Sequence, residues 1–120
     1  MATLLPSNFS SHLCSVEVCD VQYNMRILKM KDSVFIYIGE NKAENFDEMA
    51  MALPTETSEI CSTTIMGEVV GCGSEDLAQK LARKLKKQVY LSANVPNDRI
   101  VRPSIERKLF EEINNNRECF

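Results

Sequence analysis

The chain holds one histidine, His12, and five cysteines, Cys14, Cys19, Cys61, Cys72 and Cys119. A lone imidazole completes a metal site only with several thiolates or carboxylates placed around it. Cys14 is not read as a sequential catalytic partner for His12, which leaves approach by thiols remote in sequence open. The cysteine number is odd and no CxxC pair occurs, so neither a disulfide framework nor a zinc site is favoured. The loop GEVVGCGS, residues 67 to 74, precedes a helical pattern, and its amides could receive a phosphate there. It lacks the GK[ST] ending of a P-loop and the spacing of GxGxxG, so it reads as a connector. Cys72 stands beside the helix start, a place where a thiol pKa can be lowered, but it reads first as a structural or incidental thiol. A small cysteine-dependent enzyme with Cys72 as nucleophile is one alternative reading.

A different chemistry is offered by Lys80, Arg83, Lys84, Lys86 and Lys87, which form a basic helical face. Such a face is either solvated or a docking surface for an acidic protein, with RNA a poorer fit. Glu106, Glu111, Glu112 and Glu118 read as a solvated acidic face. The formal net charge of −3 argues against a general nucleic-acid binder. No Trp and only three Tyr leave little material for stacking on bases. No apolar run approaches the roughly 20 residues that span a membrane. The opening MATLLPSNFS lacks the charged and apolar regions of a signal peptide. Reduced thiols and a cytoplasmic location, open to nuclear entry, are the expectation, with no membrane partner and no cofactor.

The elements that must position these residues follow from periodicity. Leu77, Leu81 and Leu85 recur every fourth position with Ala78 and Ala82 beside them, an apolar helical stripe. Glu75 and Asp76 open this helix and Lys84, Lys86 and Lys87 close it, complementing its dipole. Ser74 is placed to act as its N-cap. With almost no loop the pattern changes to period two at Val89, Leu91 and Ala93, so the helix feeds a strand and packs back on a sheet. A second helix starts near Pro103, where proline is tolerated, and carries Ile105, Leu109 and Ile113. Residues 113 to 120 read as a frayed tail.

The first half is strand-rich. Cys14, Val16 and Val18 alternate with polar neighbours, a second strand runs from about Val21 to Met30, and Ser33–Gly39 forms a third. If Lys31-Asp32 is a two-residue turn, Ile27 lies opposite Ile36 and Met25 opposite Ile38 on a core face. Leu28 then faces Phe35, and Arg26 faces Tyr37 with its guanidinium free to lie on the ring. Residues 40 to 59 give a turn, a short strand or helical turn at FDEMAMAL, and a polar loop; Cys61 to Met66 is a further strand.

At 120 residues, 44% apolar and 26% charged, the chain fits one globular domain over 1–120. The fold class is α+β: a mostly antiparallel sheet of five to six strands with two helices, strand-rich at first and then helix-strand-helix. The helices most simply share one face. Two helices cannot cover both faces, yet the third strand is apolar on both. Either part of the chain or a second subunit must cover the face bearing Leu28, Phe35 and Tyr37. A dimeric adaptor for unrelated cargo would use that face equally well.

Several segments in order resemble the proteasome assembly chaperone 4 family. They are Asn8-Phe9-Ser10, MRILKMKDSVFIYIG from Met25 to Gly39, STTIMG from Ser62 to Gly67, LAQKLARKLKKQVYLSAN from Leu77 to Asn94, and the terminal helix IERKLFEEI. The resemblance covers nearly the whole chain and is most specific from Leu77 to Asn94; residues 40 to 60 and VPNDRIVR match poorly. It implies a non-enzymatic chaperone that pairs with proteasome assembly chaperone 3. The heterodimer would bind alpha-type subunits of the 20S proteasome, the fifth in particular, and promote correct formation of the alpha ring. Leu28, Phe35 and Tyr37 are then the expected heterodimer contacts, because aromatics are enriched at interface cores. Lys80, Arg83 and Lys84 are the expected contacts to an alpha subunit.

Overall fold

A computed structural model describes residues 10–42, 44, 46, 48–57, 59–67, 73–95 and 99–120. Cys72, most of the glycine-bearing loop, Asn8-Phe9 and the centre of VPNDR lie outside them. Three antiparallel strands come first: β1 (Ser10–Val18), β2 (Val21–Lys29) and β3 (Ser33–Glu40). Cys19 and Asp20 both have positive φ, 51° and 64°, as a two-residue hairpin loop matching the strand twist requires. At the next turn Met30 N–H donates to Ser33 O at 2.9 Å. Ile27 pairs with Ile36, Met25 with Ile38, Leu28 with Phe35 and Arg26 with Tyr37, the register expected from a Lys31-Asp32 turn.

After β4 (Met49–Pro54) and β5 (Ile60–Met66) the chain forms α1 (Gly73–Leu85), β6 (Gln88–Asn94), α2 (Val101–Asn115) and a short 3-10 turn (Arg117–Cys119). FDEMAMAL resolves as strand from Met49. The sheet order is β1-β2-β3-β6-β4-β5. β6 lies parallel to β3 and antiparallel to β4; the other neighbours are antiparallel. Thus β6 inserts between strands that are consecutive in sequence, and α1 is the crossover that carries the chain back to place it there.

Alternation then decides what each face buries. Met25, Ile27, Val34, Ile36, Ile38, Val89, Leu91 and Ala93 point to one side and are at most 1% exposed. Leu81 and Ala82 of α1 and Ile105, Leu109 and Ile113 of α2 meet them in one core. Both helices therefore share one face.

Two sequence readings are corrected at the ends of the helices. Ser74 lies inside the first turn of α1 and is fully buried. Its hydroxyl donates to Glu48 Oε1 at 2.6 Å and accepts from Ala93 N–H at 3.0 Å. The same Glu48 oxygen accepts from Ser74 N–H at 3.1 Å. A carboxylate from the segment before β4 thus meets the positive end of the α1 dipole. Nor do residues 113–120 fray: α2 continues to Asn115, and Phe120 is buried in the core. Lys29 Nζ donates to Glu118 O at 2.8 Å and Lys87 Nζ donates to Phe120 O, anchoring the backbone around that one aromatic ring.

Candidate partner-binding face

The face of the sheet away from the helices carries the alternate residues of the same strands. Leu13 on β1, Leu28 on β2 and Phe35 and Tyr37 on β3 line a shallow hollow of about 550 Å³, with Arg26 and Glu44 at its rim. Leu13 is 58% exposed and Leu28 36%, while Phe35 is half-buried. Farther across the sheet Tyr90 and Met51 are half-buried, joined through Gln88 Nε2, which donates to Tyr90 Oη at 2.7 Å. On β5, Ile65 is again exposed.

Tyr37 is placed differently from Leu28 and Phe35. It is only 7% exposed, because Phe46 stacks on it with ring centroids 6.0 Å apart and planes 6° from parallel. Phe46 also lies against Phe35, at 6.4 Å and 5°. The Tyr37 ring lies back along its own strand over Gly39, where a Cβ would come within 2.8 Å of ring atoms. Glycine is required there by the close approach of that ring.

A polar clip brings Phe46 into place. Arg26 donates to Glu44 through Nε at 3.3 Å and an Nη at 2.7 Å, a bidentate pair. Asn24 Nδ2 donates to Glu44 at 2.9 Å and to Asn41 Oδ1 at 2.9 Å, and Ser15 Oγ donates to Asn24 Oδ1 at 3.1 Å. The Arg26 guanidinium and Asn24 amide hold the Glu44 carboxyl below its usual range, and Glu44 raises Arg26 in turn. Arg26 is therefore turned to a carboxylate rather than laid on the Tyr37 ring. Phe46, with Glu44 clipped beside it, forms a strap that covers Tyr37 and packs on Phe35. It leaves Leu13 and Leu28 open, so part of the chain does fold over this face, but incompletely.

An α+β sheet with both helices on one side and an apolar, strapped face on the other can be compared with known proteins. A family model described as Proteasome assembly chaperone 4 matches residues 22–95, from β2 through β6. The chain belongs to the proteasome assembly chaperone 4 family. Human Proteasome assembly chaperone 4 is 29% identical over 106 residues, covering 87% of this chain and 85% of the human one. The mouse protein of the same name is 28% identical over 108 residues, covering 89% and 87%. Among solved structures, a chain from the crystal structure of a chaperone complex for yeast 20S proteasome assembly superposes with a TM-score of 0.69. It covers 91% of this chain and 98% of its own at 10% identity, which is a likeness of fold.

Within this family member the basic helical residues lie apart from the open face, on α1. Lys80 Nζ is 2.7 Å from Glu106 of α2, and Lys84 Nζ stands 5.9 Å from the Phe110 ring centroid. Two of the three expected alpha-subunit contacts thus also join α1 to α2, while Arg83 is exposed. The structure gathers Leu28, Phe35 and Tyr37 into one hollow; it does not bring Lys80, Arg83 or Lys84 to it.

His12 faces the helices. Its Nε2 is 2.7 Å from Glu112 Oε1, which also accepts from Asn116 Nδ2 at 2.9 Å. Cys14, two residues along the strand and so on the same face, joins His12 and Glu112 with potential ligand atoms within 4.8 Å of one another. Burial, then the nearby Glu112 and Cys119, push the Cys14 thiol up to about 11. At neutral pH it is a protonated thiol, a poor nucleophile. The grouping ties β1 to α2.

Glu44 and Phe46 were not singled out by sequence reasoning. The available signal was a lone aromatic in the polar run ENKAENFDE, opposite a strand apolar on both faces.

Proposed function

We propose that this protein is a non-enzymatic chaperone of 20S proteasome assembly that acts as a heterodimer with proteasome assembly chaperone 3. The pair binds alpha-type subunits, especially the fifth, and promotes correct alpha-ring formation. It works in the cytoplasm and with access to the nucleus, and needs no cofactor. Family membership carries the assembly role. The observation that supports a partner surface is the open sheet face, where Leu13, Leu28 and Phe35 leave apolar area in water beside the Phe46 strap.

The physics of such a role is simple. A free alpha-type subunit exposes edges and apolar patches that invite wrong neighbours. A chaperone covering one such surface raises the cost of incorrect pairing, since discrimination is a difference between affinities. Release follows when a later subunit competes for the same surface, and no nucleotide is consumed. In this reading the open face takes the second chaperone, and the α1 surface around Arg83 is turned to the alpha subunit.

The test is affinity purification of the tagged chain from its own cells at physiological salt, followed by mass spectrometry. Recovery of a second small chaperone and alpha-type subunits, with little mature catalytic core, is the expected result. Recovery of neither overturns the reading.

A further inference from the structure

At the end of the sheet where β3 begins, three parts of the chain far apart in sequence converge on a second hollow of about 430 Å³. The β2–β3 turn supplies Lys31 and Asp32, the α1–β6 turn supplies Lys86 and Lys87, and the C-terminal 3-10 turn supplies Arg117. Leu85 and Phe120 give it apolar walls. Four cations and one side-chain carboxylate line it, with Lys87 already donating to Phe120 O, in a chain whose formal net charge is −3. The general charge balance therefore does not explain the cluster; topology assembles it locally.

Two details show that the arrangement is held against a cost. Lys86 has φ of 58° immediately after α1, and its N–H donates to Ala82 O at 2.8 Å. That left-handed position favours glycine, because a Cβ is disfavoured there. The chain nevertheless places a long cationic side chain at it. Lys87 is partly buried, and its ammonium pKa is lowered by that burial and by neighbouring Lys29. A partly desolvated ammonium gains when a partner brings negative charge to it.

We propose that this cationic hollow is a docking site for an acidic polypeptide segment carrying an apolar side chain between its carboxylates. The cations are separate charges on three elements, Lys31 on one turn, Lys86 and Lys87 on the next and Arg117 on the last, which suits carboxylates spaced along a peptide. The hollow lies at the C-terminal end of α1, where the dipole is negative and backbone carbonyls lack helical partners. Those carbonyls suit the N–H groups of a peptide, which a compact phosphate does not offer. Half-buried Leu85 receives the apolar side chain. The site is separate from the open sheet face, so it stands whether or not that face pairs with a second chaperone.

The test uses the full chain and a fluorescein-labelled peptide of repeated Glu-Glu-Phe units, followed by anisotropy at low and physiological salt. Controls are the Gln-Gln-Phe counterpart and inorganic phosphate as competitor. The acidic peptide is expected to bind and the neutral one not, with affinity falling as salt rises. Lys31→Glu combined with Lys86→Glu weakens binding at least about tenfold, with the circular dichroism spectrum unchanged. Lys42→Glu, past the opposite end of β3, makes a like charge reversal and changes affinity less than about twofold. Lys86→Gly separates docking from helix termination: it raises the melting midpoint by a few degrees yet weakens binding. The proposal is overturned if the acidic peptide does not bind, if both peptides bind alike, or if Lys42→Glu weakens binding as much as the double reversal. It is also overturned if Lys86→Gly leaves binding unchanged, or if phosphate displaces the peptide at comparable concentration, which would make this a small-anion site.

Discussion

The two faces of the sheet are built from the same strands and differ by one residue in phase. Ile36 is fully buried under the helices, while its neighbour Phe35 is half-open to water and leans on Phe46. On β2, Ile27 is 1% exposed and the adjacent Leu28 36%. One face is closed by covalently attached helices and is already paid for by folding. The other is closed only in part, by the strap of Glu44 and Phe46, so its remaining apolar area favours association. The difference teaches that apolar content alone does not make a core: what matters is whether the same chain can reach the surface to cover it.

The largest effect that sharpens this contrast is on the helix face. Ile36→Ala leaves a cavity among packed side chains and should cost about 2–5 kcal/mol. Phe35→Ala, one position along, should cost the monomer less, because its ring is only partly buried. Urea unfolding of both variants checks the pair; equal losses would erase the distinction between the faces.

Next in size is the strap. Gly39→Ala pushes a methyl group into the Tyr37 ring and should cost about 1–3 kcal/mol as an overpacked site. Phe46→Ala removes two stacked contacts from a half-exposed ring and should cost about 1 kcal/mol. Both uncover Tyr37, so quenching of tyrosine fluorescence by iodide should rise. The chain has no Trp and three Tyr, which keeps that signal readable.

A smaller effect is the pH response of the clip. Arg26 and Asn24 lower the Glu44 pKa from 4.5. A carboxylate with a depressed folded-state value stabilises above its unfolded value and loses that contribution as pH falls through the folded one. Tyrosine quenching should therefore rise below about pH 4.5, and Glu44→Gln should remove that step. A flat acid profile in the parent protein would mean that the clip does not hold the strap.

The smallest effect concerns Cys14. Its thiol is pushed up to about 11 from 9.0, so the contribution of the protonated form is complete below pH 9 and is lost as pH rises toward 11. Iodoacetamide at pH 8 should label exposed Cys19 and Cys61 well before Cys14, as peptide mass spectrometry would read. Preferential labelling of Cys14 would contradict the protonated thiol.

Much of the helix-covered face was legible in the sequence. The stripe Leu77, Leu81, Leu85 and the run Val34 to Ile38 are local patterns, and pairing outward from Lys31-Asp32 fixes Ile27 opposite Ile36. The open face was legible as a deficit, a strand apolar on both sides with too few helices to cover it. Its strap was not, because Phe46 and Glu44 act through contacts with residues about ten and twenty positions away, which no period encodes. Phe120 escaped for the same reason: a single aromatic after NNNREC gives no stripe, yet it fills a core position. The insertion of β6 between β3 and β4 was equally hidden, since strand order is decided by which edges α1 can reach, not by alternation within a strand.

The central claim is that the open face, and not the helical one, is where a second chaperone binds. The direct measurement is native mass spectrometry of equimolar proteasome assembly chaperone 3 with the parent chain and with Phe35→Asp, after circular dichroism has shown both to be folded. The account predicts a one-to-one complex with the parent and at least about thirtyfold weaker pairing for the variant. A Phe35→Asp chain that pairs as well as the parent would contradict it.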